Sequence, residues 1–513
     1  MIVALLCALA PPATAAEAWP PTTAPKLDRG ESAREEAPPA QAPPPAPKPA
    51  SASTTTPAPE PVVEEKPSSD ARPAEATLSV APAPLSRLPF GTVAGSRDGH
   101  TFVHTRGEGL VLLPAARLEL DGRAIETAQP NASEQKAAVG LARAEMTAWV
   151  GSVAALAVGL DLQSGPSLRR ADNFVAVAPW GDRAILQLGQ FNVPFSMANR
   201  TADRYLDFGD RGVSVQAFAL PDHKDQGVML HGMNAARNFY YSAAVLNGEG
   251  PQVTGVDGHV DLVARAWAAP FSFRDPEPLR DITVGGSVWT GDRSMGPLFA
   301  GQRTPGGTTI LDPSVSWSNG ATSPIELRQH GRLLAVGVEL NAPIANRYGF
   351  RFEWIAKRQS LAALDPLAPS RPAPLGDLSL SGWATYAEVW AWVLGDDHML
   401  GPTARAGLEL PLRLRHLRQD AGRPRGLMLA ARIEHLDETM SAGANTRSLG
   451  LGIASVGATE VTSAAFTASY WYTRRARALV GYTFHHLGGT TPYVTGLADK
   501  NVHEILLRTA FAL

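Results

Sequence analysis

The sequence predicts an all-β protein: a transmembrane antiparallel β-barrel of about 16 strands, with 18 open as an alternative, preceded by a disordered proline-rich segment. Three observations predict it. From about residue 109 apolar and polar residues alternate with period 2, the strand signature. The alternating runs are ~9–12 residues long, enough to cross a bilayer at a ~45° tilt. A helical membrane protein needs runs of ~20 apolar residues, and none occurs beyond the extreme N-terminus. The mean hydropathy of −0.09 agrees, because in a barrel only every second residue meets lipid.

The chain divides into three regions. Residues 1–16, MIVALLCALAPPATAA, read as a signal peptide with an Ala13-x-Ala15 cleavage pattern, although the usual positive start is absent. Cys7, the only cysteine, lies inside it, so a mature chain has no thiol for disulfides or catalysis. Residues 17–90 are rich in Pro, Ala, Glu, Ser and Thr and bury too little apolar surface to offset backbone ordering. They are expected to be a disordered periplasmic linker: a passive spacer in one reading, a peptidoglycan tether in the other. Residues 100–513 are the expected barrel. Residues 17–99 carry 8 basic and 11 acidic side chains, leaving 38 of each in 100–513. That balance lacks the basic excess of a nucleic-acid protein. The barrel's only lysines are Lys136, Lys224, Lys357 and Lys500.

The alternation assigns faces. Ala116, Leu118 and Leu120 oppose Arg117, Glu119 and Asp121; Phe350, Phe352 and Trp354 oppose Arg351, Glu353 and Lys357. Leu408, Leu410, Leu412 and Leu414 oppose Glu409, Arg413 and Arg415, and Leu427, Leu429, Ala431 and Ile433 oppose Met428, Arg432 and Glu434. A soluble sandwich alternates similarly, but these strands are too long and too many for one, and their polar faces mix Arg and Glu as a wet lumen allows. In Glu504–Leu513, Ile505, Leu507, Phe511 and Leu513 share a face, as in a last strand that closes the barrel on the first. Trp383, Tyr386, Trp390, Trp392, Tyr470, Trp471, Tyr472, Tyr482 and Phe484 suit interfacial girdles or, in the plainer reading, ordinary packing. Trp180-Gly181-Asp182 and Arg474-Arg475 read as tight turns, and 291–327, 360–378 and 487–501 as external loops.

Gly189-Gln190-Phe191 with Pro194-Phe195, Leu206-Asp207-Phe208 with Arg211, and Gly227-Val228 with Gly232 resemble the phosphate-selective porin O and P family. Ala116-Arg117-Leu118 with Gly122, and Val245-Leu246-Asn247-Gly248 with Ala264-Arg265, add to the resemblance. It implies an outer-membrane barrel of about 16 strands, a homotrimer, and one constriction loop folded into each pore. Two features depart from the family pattern. Asn192 stands where a lysine commonly follows the Gly-Gln-Phe motif, and the barrel region has no net positive charge.

Alternation places a candidate pore lining: Arg117, Arg143, Arg265, Arg351, Arg405, Arg413, Arg415 and Arg432, with Glu119, Glu145, Asp161, Glu353, Glu388, Glu409 and Glu434. Charge rings set ion preference. Arg143 with Glu145, Arg351 with Glu353 and Arg432 with Glu434 could instead neutralise one another on a shared face. Asn192 to Asp210 is the expected constriction loop, with Arg200, Asp203 and Arg204 at its narrow point.

Enzyme and metal signatures are weak. No GxGxxG, P-loop, HExxH or GxSxG stands in a suitable context. His485 and His486 would point to opposite faces of a strand, so they, with His503, read as interfacial polar residues rather than a metal site. The expected function is a water-filled outer-membrane channel for small hydrophilic solutes, anions such as phosphate among them, working without cofactor or catalysis. Its expected partners are membrane lipid, lipopolysaccharide and two further copies. The competing function is a structural or adhesive barrel tethered to the cell wall by its tail.

Overall fold

A computed structural model of the chain describes residues 86–88, 91–127, 134–163, 171–218, 224–251, 258–273, 279–293, 302–311, 326–364, 376–396, 411–417, 425–442, 458–489 and 500–512. The expected signal peptide, most of the expected linker, and Arg405 and Glu409 lie outside these residues.

Three short strands come first: β1 Ser86–Leu88, β2 Thr92–Arg97 and β3 His100–Thr105. β1 lies within the stretch expected to be disordered, yet it pairs with β2. The first half of the barrel is β4 Leu110–Thr127, β5 Glu134–Val150, β6 Ala154–Asp161, β7 Asn173–Val177, β8 Ile185–Asn192, β9 Lys224–Met233, β10 Phe239–Leu246, β11 Asp261–Ala268 and β12 Thr283–Arg293. A small hairpin follows, β13 Gln302–Arg303 and β14 Thr309–Leu311. The second half is β15 Glu326–Ile344, β16 Tyr348–Leu364, β17 Gly376–Leu394, β18 Gly426–Ala442, β19 Ala458–Thr473, β20 Ala476–Gly489 and β21 Asn501–Ala512.

Sixteen of these strands, β4–β12 and β15–β21, form a closed antiparallel barrel. Each pairs with its neighbour in sequence, and β21 closes on β4 from Ala512↔Arg117 to Val502↔Thr127. Closure satisfies the backbone groups that an open sheet edge would present to lipid. The alternation sets the two faces as expected. Leu118, Leu120, Leu186, Leu188, Leu262, Val336, Val338, Phe466, Ile505, Leu507 and Phe511 point outward and stay exposed. Their strand neighbours Glu119, Asp121, Gln187, Asp261, Glu339, Glu504 and Arg508 are buried inside.

The ends of the barrel differ. Residues 151–153, 178–184, 234–238, 345–347 and 474–475 make short connections at what we call the turn end. The opposite, loop end carries the connection from β8 to β9, which turns into the lumen through α1 Met197–Arg200 and α2 Val213–Phe218. Ser196 caps α1 at φ +70°, its hydroxyl accepting from Asn199 N at 3.3 Å. The loop seats by an apolar face: Val193, Phe195, Val213 and Phe218 share one cluster with Met229, Trp289, Ile355 and Leu436 of the wall. Glu353 accepts from the Met197 and Ala198 amides, and Glu434 from the Ser214 amide and hydroxyl. Gly212 permits that second contact, because a Cβ there would stand 2.0 Å from the Glu434 carboxylate.

Four expectations need correcting. Gly407–Arg415 is not a barrel strand where it is described. Residues 411–417 form a strap at the turn end, with a 3₁₀ turn at Leu414–His416. Leu414 and Leu417 pack on Phe102, Val111, Trp149 and Ile185, so the leucine alternation serves a loop rather than a lipid face. Tyr386, Trp390, Trp392 and Trp471 point inward and are buried, while Trp383, Tyr470, Tyr472, Tyr482 and Phe484 lie on the outer face. The expected external loop 291–327 sends β13–β14 inward. There Gln302 donates to Glu438 at 2.6 Å, and Thr304 Oγ1 and the Gly306 amide donate to Glu504. Finally, His485 is an inward, fully buried residue rather than an interfacial one, whereas His486 and His503 face outward.

The strap is pinned by charge as well as by leucines. Asp182, in the turn between β7 and β8, meets Arg413 Nε at 3.2 Å, Arg415 Nη2 at 3.0 Å and His416 Nε2 at 2.9 Å. Burial alone would raise the Asp182 pKa; His416, Arg415 and Arg413 outweigh it and hold the carboxylate below its ordinary value. A carboxylate held low in the fold contributes stability that is present above its unfolded pKa of ~3.9 and lost as the pH falls below that. Asp182→Asn is expected to speed hydrogen exchange at Leu414–Leu417 about tenfold, equivalent to ~1.4 kcal/mol. Unchanged exchange would mean that the leucines alone hold the strap.

Candidate functional site: a passage between the inward loop and the β4–β5 wall

The inward loop does not fill the barrel evenly. Two water-accessible cavities remain on the side facing β4, β5, β8 and β9. The turn-end cavity, about 230 Å³, reaches from Leu113, His100 and Leu412 to Arg117, Arg204 and Lys224. The loop-end cavity, about 220 Å³, is lined by Glu119, Arg123, Asp210, Arg211 and Arg508 among others. Arg143, Asn192, Asp203 and Lys224 line both, so the cavities meet there, at a neck.

Period-2 geometry puts the wall charges in place. Arg117 and Glu119 are successive inward residues of β4, 2.8 Å apart. Arg143 and Glu145 occupy the same relation on β5 at 3.5 Å. Register supplies the next cation: Asn192 of β8 is directly opposite Lys224 of β9, whose Nζ donates to the Asn192 side chain at 2.7 Å and pairs with Asp172 at 2.6 Å. A cation therefore stands beside Asn192 from the neighbouring strand. From the loop, Asp203 reaches back to Arg211 at 2.6 Å and to Arg143 at 3.9 Å. Burial would raise the Asp203 pKa, but Arg211, Arg117, Arg143 and Lys224 hold it well below its ordinary value, so it is ionised at neutral pH.

On the loop-end side Arg508 joins the loop to the barrel seam. It bonds Asp121 through Nε and Nη2, both at 2.7 Å, Glu119 at 3.1 Å, Asp210 at 3.2 Å and the Gly209 carbonyl at 2.7 Å. Arg123 adds bonds to Asp121, Asp210 and the Pro305 carbonyl. The two cavities together are lined by eight cations, Arg117, Arg123, Arg143, Arg200, Arg204, Arg211, Lys224 and Arg508, against five carboxylates, Glu119, Glu145, Asp172, Asp203 and Asp210. The passage is thus locally positive although residues 100–513 as a whole are balanced.

The expected lining residues that are described fall into four groups. Arg117, Glu119, Arg143 and Glu145 line the passage. Arg265, Arg351, Arg432, Glu353, Glu388 and Glu434 also point inward but lie on the far wall, under the loop. Arg265 forks onto Glu339 at 2.6 and 3.0 Å, and Arg432 pairs with Glu434 at 2.9 Å. Arg351 bonds Asp207 and Glu388 rather than Glu353. Arg413 and Arg415 sit on the strap, Arg413 with its guanidinium 3.8 Å from the Trp149 ring centroid. Asp161 is inward and buried. Within the loop, Asp203 is at the neck, whereas Arg200 and Arg204 line the turn-end cavity. Arg200 is 1 % exposed and donates to the Asn192 carbonyl; Arg204 stacks on Tyr205 at 4.9 Å.

Arg123, Asp172, Arg211, Lys224 and Arg508 line the passage without having been among the expected lining or constriction residues. Arg123 and Arg508 were within reach of the alternation rule, and Lys224 only of strand register. One arrangement resembles a nucleophile–His–acid set: Ser463 Oγ lies 2.7 Å from His485 Nδ1, and His485 Nε2 lies 3.4 Å from Glu504. Ser463 is 1 % exposed, and Glu504 is engaged by β13–β14. The arrangement anchors that hairpin and is closed to a substrate. Among the described residues no group of His, Cys, Asp and Glu is placed to hold a metal ion.

No family model matches the chain, and neither does any curated protein. Among solved structures it is similar to a loop L8 deletion form of OmpT, an outer membrane protein of Vibrio cholerae. The identity is 13%, the TM-score 0.47, and the match covers 79% of this chain and 100% of that one. It is also similar to the outer membrane channel DcaP of Acinetobacter baumannii, at 9% identity and TM-score 0.44 over 80% and 99% of the two chains. An anion-selective porin from Comamonas acidovorans matches at 9% and 0.43 over 79% and 100%.

Proposed function

We propose that this chain is an outer-membrane porin that lets small hydrophilic solutes, preferentially anions, diffuse through the passage beside its inward loop. The observation that carries the reading is the neck itself, where Arg143 and Lys224 of the wall meet Asp203 of the loop between two water-accessible cavities. The outward apolar residues fit a lipid-facing surface, and a closed barrel is one of the two backbone architectures that can span a bilayer. Fixed charge along a narrow passage biases which ion enters, and the excess here is positive. The proposal extends to the resemblance with the phosphate-selective porin O and P family, to a homotrimer, and to a signal peptide followed by a periplasmic tail.

Planar-bilayer recording in a potassium chloride gradient tests it. The expected result is discrete conductance steps with a reversal potential of the sign set by chloride. A cation-directed potential would overturn the anion preference. The inward loop, hairpin and strap together occupy much of the lumen, which favours the structural barrel as the second reading. Folded, inserted protein that gives no steps would establish that reading instead.

A further inference from the structure

The turn-end cavity differs in chemistry from the loop-end one. Its cations are largely matched: Arg117 by Glu119, Arg143 by Glu145 and Lys224 by Asp172. Arg200 is 1 % exposed and donates to the Asn192 carbonyl, which leaves Arg204. Its guanidinium lies on the Tyr205 ring, 4.9 Å from the centroid, and meets no carboxylate among the described residues. Apolar groups line the same cavity beside its charged ones. Ala115 comes from β4, Phe174 from β7, Ala202 from the loop and Leu412 from the strap, all partly exposed. Trp149 fixes Leu412 by donating its indole N–H to the Leu412 carbonyl at 2.6 Å. His100 completes the wall uncharged, its pKa pushed down to about 3 by burial first and by Arg204 and Arg475 second. A hydrated inorganic anion gains nothing from such surfaces. An anion with a flat or branched hydrocarbon body gains both from burying that body and from the free guanidinium.

We infer that the turn-end cavity is a binding site for amphipathic organic anions, aromatic carboxylates being the class that fits best. The Arg204 guanidinium takes the carboxylate, and the apolar wall of Phe174, Ala115, Ala202 and Leu412 takes the ring. The inference rests on the channel reading for its biological sense, while the site itself does not require conduction.

Benzoate is the test ligand, with acetate as the equally charged control and benzyl alcohol as the neutral one. In single-channel recording of the full chain, benzoate added at the turn end is expected to interrupt the current, and acetate and benzyl alcohol are not. Arg204→Ala is expected to shorten the interruptions at least tenfold, and Leu412→Ala severalfold. Equal effects of acetate and benzoate, or interruptions unchanged in Arg204→Ala, would overturn the site. Saturation-transfer NMR on the purified full chain reads the same binding without current. A barrel that does not conduct yet binds benzoate in an Arg204-dependent way would overturn the channel and keep the site. Conduction without Arg204-dependent binding would do the reverse. Arg204 stacks on Tyr205, and retained resistance of the barrel to detergent unfolding checks that the variants are folded.

Discussion

Reversing the two wall cations of the neck, Arg143→Glu together with Lys224→Glu, is expected to change the sign of the reversal potential in a potassium chloride gradient. The lining would pass from an excess of three cations to an excess of one carboxylate, and the change falls where the two cavities adjoin. A charge acts on a permeating ion most strongly where protein rather than water surrounds the path, because the effective dielectric constant is lower there. Lys224 carries particular weight because its ammonium, from β9, lines both cavities beside Asn192 of β8. The milder pair Arg143→Gln and Lys224→Gln should move the potential towards zero without crossing it, and it avoids crowding Glu145 and Asp172 with new carboxylates. A potential unmoved by either pair would place the selectivity-determining constriction elsewhere, and the reading of the neck would fail.

Arg508→Ala is expected to cost about 3–5 kcal/mol of stability, the usual cost of removing one partner from a buried charge network. The side chain satisfies Asp121 and Glu119 of β4, across the seam where the last strand closes on the first, and Asp210 and the Gly209 carbonyl of the loop. Its loss leaves Glu119 with Arg117 and Asp121 with Arg123 as remaining cations, and the loop with one fewer tie to the wall. The urea midpoint of the reconstituted barrel should fall accordingly, and channel currents should become noisier as the loop loosens. Arg508→Lys keeps the charge but not the forked geometry, so it should fall between the two. A midpoint within about 0.5 kcal/mol of the native protein would show that the seam is held by its backbone ladder alone.

Much of this architecture can be read from local pattern. Leu118, Leu120, Ile505, Leu507 and Phe511 face outward because successive strand residues point to opposite sides, a property of the backbone that needs no tertiary information. The same rule, applied more strictly, would have placed the aromatics of β17. Tyr386, Trp390 and Trp392 share parity with Glu388 and so belong on the inner face with it. The rule fails at the strap, where Leu412 and Leu414 alternate as in a strand, yet the segment packs as a loop on Trp149 and Asp182. Period 2 states that a chain is extended with two unlike faces, and a strap between water and an apolar cluster satisfies that as well as a membrane strand does.

The sequence by itself therefore determined the fold class and the inward or outward direction of most strand residues. The tertiary structure decided which inward charges still meet solvent. Arg351, Arg432 and Glu353 are as inward as Arg117 and Arg143, yet they are spent on Asp207, Glu434 and the α1 amides once the loop lies over them. Side-chain direction is fixed by the residue's own backbone. The wall against which the loop settles depends on complementarity between apolar and charged groups more than a hundred residues apart in sequence, and no local periodicity records that choice.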